Sequence, residues 1–223
     1  MKVDILSLFP EYFESPFRVS KLKHAQEKGL LSIRLVDLKE YGEGRWRRVD
    51  DRPYGGGPGM VLMPGPMLKA IRAFKGKKTR VIYLSPQGKR LSAAICERLV
   101  QNEHLILVCG HYEGLDERVI EAEIDEEISI GDYVLTNGCL AAIVLMDAVS
   151  RFIPGVLGAE EGALQDSFQG GVLEAPLYTR PPVFEGREVP EVLLSGNHQK
   201  IAEWRRAQGL QRTQRKRPDL WRE

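Results

Sequence analysis

Residues Arg52 to Met60 read RPYGGGPGM, four glycines and two prolines in nine positions. Glycine lacks a β-carbon and lets main chain approach a ligand closely. Such a loop either turns its N–H groups on an anion or lets a flat ring lie against it. It is not one of the familiar phosphate cradles, because neither GxxxxGK[ST] nor GxGxxG occurs in the chain. Tyr54 offers a ring for stacking, and Asp50 and Asp51 just upstream offer carboxylates that accept from the N–H edge of a base. On composition alone, a flexible surface loop stays open beside that reading. Three further glycine- or proline-marked segments stand at the ends of apolar runs: Leu84-Ser85-Pro86-Gln87-Gly88, Gly110–Gly114, and Ile130–Gly138. Ligands of open α/β sheets bind just beyond the carboxyl ends of strands. The trio therefore predicts a pocket built largely from main chain, suited to a small, neutral, flat group such as adenine.

Those loops need a frame, and the apolar pattern supplies one. Val3–Phe9, Leu31–Val36, Val81–Leu84 and Leu105–Cys109 read as strands. Between them, Phe17–Lys28 reads as a helix stopped by Gly29, Leu62–Phe74 as a helix with proline near its start, and Leu91–Val100 as a helix with Leu91, Ile95 and Leu99 on one face. Gly138–Phe152 is apolar almost all round and reads as a buried helix. Arg45–Met60 reads as loop. Alternating strands and helices predict a mostly parallel α/β sheet. After Pro154 the pattern dissolves into glycines, prolines and acids, and helical periodicity returns at Asn197–Gln208, with Ile201 and Trp204 on one side. Two domains are expected, 1–158 and 159–223.

Composition narrows the class of protein. Of 223 residues, 43% are hydrophobic and 28% charged, ordinary for a globular protein with a proper core. No apolar run approaches the ~18 residues of a membrane span, and the N-terminus lacks the pattern of a signal peptide, so a cytoplasmic location is expected. The three cysteines share no CxxC spacing and read as reduced core thiols. The four histidines are scattered without HExxH, so no zinc site is expected. A net charge of +1 hides strong segregation: residues 69–90 carry eight Lys/Arg and no acid, residues 198–223 eight against three acids, and residues 111–132 nine acids against Arg118. Two separate basic stretches suggest a polyanionic partner, with a solvated surface as the alternative.

The motifs RPYGGGPGM, LSPQG, GHYEGLDERVI, EIDEEISIGDYVL, SRFIPGVLG, DSF and LLSGNH occur in this order and closely resemble the bacterial tRNA (guanine-N1)-methyltransferase family, in the knotted SPOUT class. The resemblance runs from Ser7-Leu8-Phe9-Pro10 to about Arg217-Pro218. It implies a SPOUT-type parallel sheet with a deep trefoil knot, which pattern and composition do not foretell, and a small C-terminal helical domain that binds tRNA. It implies S-adenosyl-L-methionine as cofactor, held by Leu84, Ser85, Pro86, Gly110, Ile130, Gly131, Asp132, Tyr133, Val134, Leu135 and Gly138. It makes Asp166 of the DSF motif the general base and Arg151 of SRFIPG its helper, puts Asp50, Asp51, Arg52, Tyr54 and Glu113 near the target base, and implies a homodimer whose active sites are shared between subunits. Magnesium assists some members, but no ligand set here identifies a site.

The implied reaction is transfer of a methyl group to N1 of the guanosine immediately 3′ of the anticodon, guanosine-37. Guanine N1 carries a proton and is a poor nucleophile until it leaves, which calls for a carboxylate within reach; charge spreading to O6 calls for a guanidinium. Without the resemblance, Asp166 reads as a turn or cap aspartate and Arg151 as a helix C-terminal dipole partner. Ribose 2′-O-methylation by another SPOUT-type enzyme and a non-catalytic RNA-binding relative are the alternatives, the aspartate of DSF speaking against the first. One departure is local. Typical members read SGGELPA where this chain reads TNGCLAA, Thr136 to Ala142, so that Asn137 replaces a glycine, Cys139 an acid and Ala141 a proline. Asparagine tolerates left-handed backbone better than most residues, the expected way for that loop to keep its shape. The C-terminus is also shorter than is usual in the family.

Overall fold

A computed structural model describes residues 1–157 and 167–220. The chain divides into two compact units, Met1–Gly158 and Ala159–Glu223. The first runs β1 (Lys2–Ser7), α1 (Glu14–Phe17), α2 (Ser20–Glu27), β2 (Ser32–Asp37), a hairpin of β3 (Asp50–Asp51) and β4 (Val61–Leu62), α3 (Pro64–Phe74), β5 (Thr79–Arg90), α4 (Ala93–Val100), β6 (His104–Cys109), α5 (Glu117–Glu123), β7 (Glu126–Ser129) and α6 (Cys139–Ser150). Five strands form a sheet in the order β2-β1-β6-β5-β7, and every neighbouring pair is parallel.

Alternate residues of each strand supply the two faces, as the two-residue period of a strand dictates. Val3, Ile5, Ile82, Leu84, Leu105 and Leu107 pack with α2, α4 and α6 on one side. Leu6, Val81, Tyr83, Ile106 and Val108 pack with α3 and α5 on the other. Burial on both faces is why these strands read as continuous apolar runs rather than alternating ones. Helix ends follow local chemistry. After α2, the Gly29 and Leu30 N–H groups donate back to Gln26 and Ala25 carbonyls, and Gly29 takes a positive φ of 68°, the αL turn that glycine reaches at little strain. Ser92 Oγ accepts from the Ile95 N–H at the start of α4.

Three elements depart from expectation. β5 does not stop at Leu84: both Leu84 and Lys89 pair with Ile128, so Ser85–Gly88 bulges out of a strand that then resumes. Gly88 allows this, since a β-carbon there would lie 2.3 Å from the Glu127 carbonyl carbon. The expected loop 45–60 begins in a closed turn and contains β3, which pairs with β4. Helix α6 is not buried all round, for Leu140 and Val144, one turn apart, are 47% and 45% exposed.

Charge segregation also finds much of its explanation inside this unit. Arg72 and Lys75 pair with Glu123, Arg80 and Arg98 with Glu126, Lys78 with Glu103 and Arg90 with Asp132. Half of the basic residues of 69–90 thus answer acids of the connector 111–132, and Lys78 answers Glu103. At the amino ends of the strands, Asp4 is fully buried; it accepts from His104 Nε2 at 2.8 Å and faces Lys2 and Arg34 at 3.4 Å.

In the second unit, β8 (Val183–Phe184) pairs with β9 (Arg187–Glu188), and α7 (Glu191–Leu194) precedes α8 (His198–Lys216). Asn197 caps α8 by accepting from the Lys200 N–H at 3.1 Å. The helix runs well past Gln208. Gly209 is the contact that lets extended chain dock on it, a β-carbon there falling 2.7 Å from the Leu173 carbonyl oxygen. The adjacent buried Thr213 Oγ1 accepts from the Leu173 N–H at 2.8 Å. The three cysteines are free and buried, and no helix of the described residues is long and apolar enough to cross a membrane.

Burial alone would raise the Glu126 carboxyl, but Arg98 and Arg80 hold it below its ordinary 4.5. A depressed folded value means stabilisation that is present above the unfolded value and fades as pH falls through the folded one. Replacing Glu126 with glutamine is expected to lower stability at pH 7 by about 1.5–3 kcal/mol. The same change should flatten the acid decline below pH 4.5, both read from urea unfolding across pH; an unchanged acid limb would remove Glu126 from that role.

Candidate active site

The three loops meet. Pro86 and Ser85 from the bulge in β5, Gly110 to Gly114 after β6, and Ile130 to Gly138 before α6 line one cavity of about 190 Å³, with Ala141 from the first turn of α6. The approach is main chain on main chain. The Gly138 N–H donates to the Gly110 carbonyl at 2.8 Å, and His111 bridges Asn137 in antiparallel fashion. A β-carbon on Gly138 would sit 2.9 Å from the Gly110 nitrogen and 3.0 Å from the Cys109 Cα. One on Gly110 would sit 2.9 Å from the Tyr83 hydroxyl. Each loop is braced within itself: Ser85 Oγ accepts from the Gln87 N–H, and Ser129 Oγ both accepts from the Gly131 N–H and donates to its carbonyl.

Leu84, Ser85, Pro86, Gly110, Ile130, Gly131, Tyr133, Val134, Leu135 and Gly138 therefore share one cavity. Asp132 lies within the same loop but is not a lining residue; its side chain, 81% exposed, faces Arg90 at 3.5 Å. Asn137 does not use left-handed backbone. Its side-chain oxygen instead accepts from the Cys139 N–H at 2.9 Å, so an asparagine side chain holds the entrance to α6. Cys139, beneath it, is fully buried with its sulfur 3.2 Å from Ser7 Oγ.

Glu113 brings the glycine-rich loop to the cavity rim. Its N–H donates to the Met60 carbonyl at 3.0 Å, and a β-carbon on Gly59 would fall 2.4 Å from its carboxylate. β4 joins the same rim, because Leu62 donates to the Gly114 carbonyl and accepts from Asp116. Asp50 is half-buried in β3. Asp51 and Arg52 are exposed, Asp51 accepting from the Arg52 N–H and pairing with Arg48. Tyr54 projects wholly into solvent. Arg151 caps the C-terminal end of α6; twelve residues of helix, about 18 Å, separate it from the end that lines the cavity. Asp166 lies outside the described residues.

Tyr83, His111 and Tyr112 are among the lining side chains that the sequence reading did not single out. Burial pushes the pKa of the Tyr83 hydroxyl up to about 12, so it stays protonated beneath the loops. Its place at the strand period facing Val81's side was the available signal. His111 packs its ring 4.9 Å from Phe9. Burial, then Lys39, lowers its pKa, and its Nε2 is buried without a hydrogen-bond partner among the described residues. Tyr112, beside it, has a left-handed φ of 57° and a half-exposed ring, a strained conformation of the kind that gathers at binding sites. Apolar walls from Leu84, Ile130, Leu135 and Ala141, with main-chain donors and acceptors between them, suit a flat heterocycle. Among the described residues no group of three His, Cys, Asp or Glu could hold a metal ion.

Comparison with known proteins gives this geometry a family. The profile described as tRNA (Guanine-1)-methyltransferase TrmD matches residues 1–223. A tRNA (guanine-N(1)-)-methyltransferase of Protochlamydia amoebophila (strain UWE25) is 65% identical over 220 residues, covering 99% of both chains. Proteins of the same name from Chlamydia trachomatis serovar D and Chlamydia abortus are 59% and 60% identical over 221 residues; there the chain is covered to 99% but spans only 62% of the relative's length. A whole-length profile, and a relative matched end to end at that identity, leave one conclusion: the chain belongs to the tRNA (guanine-1)-methyltransferase TrmD family.

Proposed function

We propose that this protein transfers a methyl group from S-adenosyl-L-methionine to N1 of guanosine-37, the nucleotide immediately 3′ of the tRNA anticodon. The observation that carries the reading is the main-chain cavity at Gly110 and Gly138, in a chain of this family. Its apolar walls and exposed backbone groups fit an adenine ring, and we assign the cofactor to Leu84–Pro86, Gly110 and Ile130–Gly138, with Asp132 facing outward. The finer topology, a deep trefoil knot made by the three loops, is part of this proposal. It draws support from the bulge of Ser85–Gly88 and the closeness of Gly138 to Gly110.

The bound cofactor would supply an electrophilic methyl group; the residues of the chain supply position and proton chemistry. Asp166 takes the N1 proton of guanine, a step worth on the order of 10²–10⁴-fold. Arg151 meets the charge that moves to O6. Glu113, on the rim beside Gly59, accepts from the N–H edge of the base, while Asp50, Asp51, Arg52 and Tyr54 receive the neighbouring nucleotides.

Arg151 stands a helix length from the cavity of its own chain, which favours a homodimer in which that arginine and Asp166 serve the partner's cavity. The exposed Leu140 and Val144 stripe and Val134, 82% exposed, offer an apolar surface for such a contact. We assign tRNA binding to the second unit, where Arg205, Arg206, Arg215, Lys216 and Arg217 are exposed along and just beyond α8, and cofactor binding to the first. A cytoplasmic location follows from the substrate.

Three outcomes test this. Asp166→Asn should cut turnover at least 10²-fold while calorimetry finds cofactor affinity unchanged; near-normal turnover would exclude Asp166 as the base. Gly138→Ala puts a methyl group against backbone and should weaken cofactor affinity at least tenfold, about 1.4 kcal/mol, with the oligomer intact. Mixing that Gly138 variant with the Asp166 variant should restore about a quarter of wild-type activity, because half the dimers are mixed and each mixed dimer rebuilds one intact site. No restoration would place the whole site within one chain. Methyl found on ribose rather than on guanine N1 would overturn the reaction itself.

A further inference from the structure

The turn from Glu43 to Arg48 has no part in the cavity, yet it is built with care. Glu43 and Arg48 exchange both backbone hydrogen bonds, at 2.8 and 2.9 Å. The Arg47 N–H closes the tip by donating to the Gly44 carbonyl at 3.2 Å. Two residues at the tip take left-handed backbone, Gly44 at φ 69° and Arg47 at φ 49°; for arginine that conformation is unfavourable. Gly42 is required at the neck, since a β-carbon there would collide with the Arg47 carbonyl at 2.2 Å. The Glu43 carboxylate lies against Gly65 in the first turn of α3, the helix end that favours an acid.

This scaffold presents Arg45, Trp46, Arg47 and Arg48, all exposed. Trp46 is 86% exposed, and the Arg45 guanidinium lies over its ring at 5.5 Å. Arg48 is tied to Asp51 at 3.4 Å. The turn is also joined to the cavity rim by main chain. Buried Val49 accepts from the Met63 N–H, Asp50 and Asp51 form β3 against β4, and β4 bonds to Gly114 and Asp116.

We propose that this turn is an RNA-gripping tip, Trp46 stacking on an unpaired base of the tRNA while Arg45 and Arg47 hold the flanking phosphates. The proposal rests on the tRNA reading above and adds to it a contact outside the cavity and outside the helical unit. A lone indole among arginines has too little apolar surface for a membrane. Planar guanidiniums and an indole match phosphates and the face of an unpaired base. The reciprocal hydrogen bonds hold the tip in place beforehand, so less order is lost on binding.

The test uses the full-length protein and unmodified tRNA. Trp46→Ala should raise the KM and Kd for tRNA roughly tenfold or more, with kcat at saturating tRNA and cofactor affinity unchanged, and Trp46→Phe should recover most of the loss. Arg45→Ala combined with Arg47→Asn, asparagine being tolerant of that backbone, should flatten the slope of log affinity against log salt by about 1.4, two single-strand phosphate contacts. Unchanged tRNA affinity and salt slope would overturn the proposal, as would a matching loss of cofactor affinity, which marks a folding defect. Wild-type protein that binds tRNA through Trp46 but leaves guanine N1 unmethylated would sink the reaction and leave the tip standing.

Discussion

Everything in the first unit answers to one contact, backbone laid directly on backbone where Gly138 meets Gly110. The Gly138 N–H reaches the Gly110 carbonyl at 2.8 Å, and no side chain of any size fits at either position. This contact sets where α6 begins and holds Ile130–Leu135 over the end of β6. It also lets the bulge in β5 face the same space. Cavities lined by side chains can adjust by changing rotamers. One lined by main chain cannot, so its shape is set by the paths of three loops, and those paths are held by Ser85, Ser129 and Asn137, whose side chains bond back to nearby N–H groups.

The two ends of the parallel sheet divide the work. The amino ends are closed by charge, with Asp4 buried among His104, Lys2 and Arg34. The β7 edge is closed by Glu126 between Arg80 and Arg98. At the carboxyl ends, where strands leave N–H groups and carbonyls for loops to use, glycines, tyrosines, short polar side chains and a few apolar ones line the space. Charge pairs hold the frame away from the cavity, and hydrogen bonds within the loops hold the cavity itself.

Much of this frame was legible in the sequence, because both signals involved are local. Apolar runs mark strands buried on both faces, and glycine or proline marks the loops that follow. What escaped was decided at long range. The resumption of β5 after Gly88 depends on Ile128 pairing on both sides of the bulge. The basic stretch 69–90 reads as a partner-binding face until its partners appear some tens of residues away, at Glu103, Glu123 and Glu126. In the sequence Asn137 reads as a backbone substitution, but in the fold it acts through its side chain. The distance between Arg151 and the cavity needs the length of α6 as well as the identity of the residue.

A main-chain cavity has a chemical consequence. Peptide groups donate and accept hydrogen bonds but do not take up a proton near neutral pH, so a site of this kind can recognise a ligand without activating anything. Among the described lining residues Glu113 is the single carboxylate, and it is held against Gly59 and Met60 at the rim. Tyr83 keeps its proton to about 12, and burial lowers the pKa of His111, keeping it neutral near pH 7. A cavity of this kind leaves proton transfer to groups outside its main-chain lining, and Arg151 stands at the far end of α6.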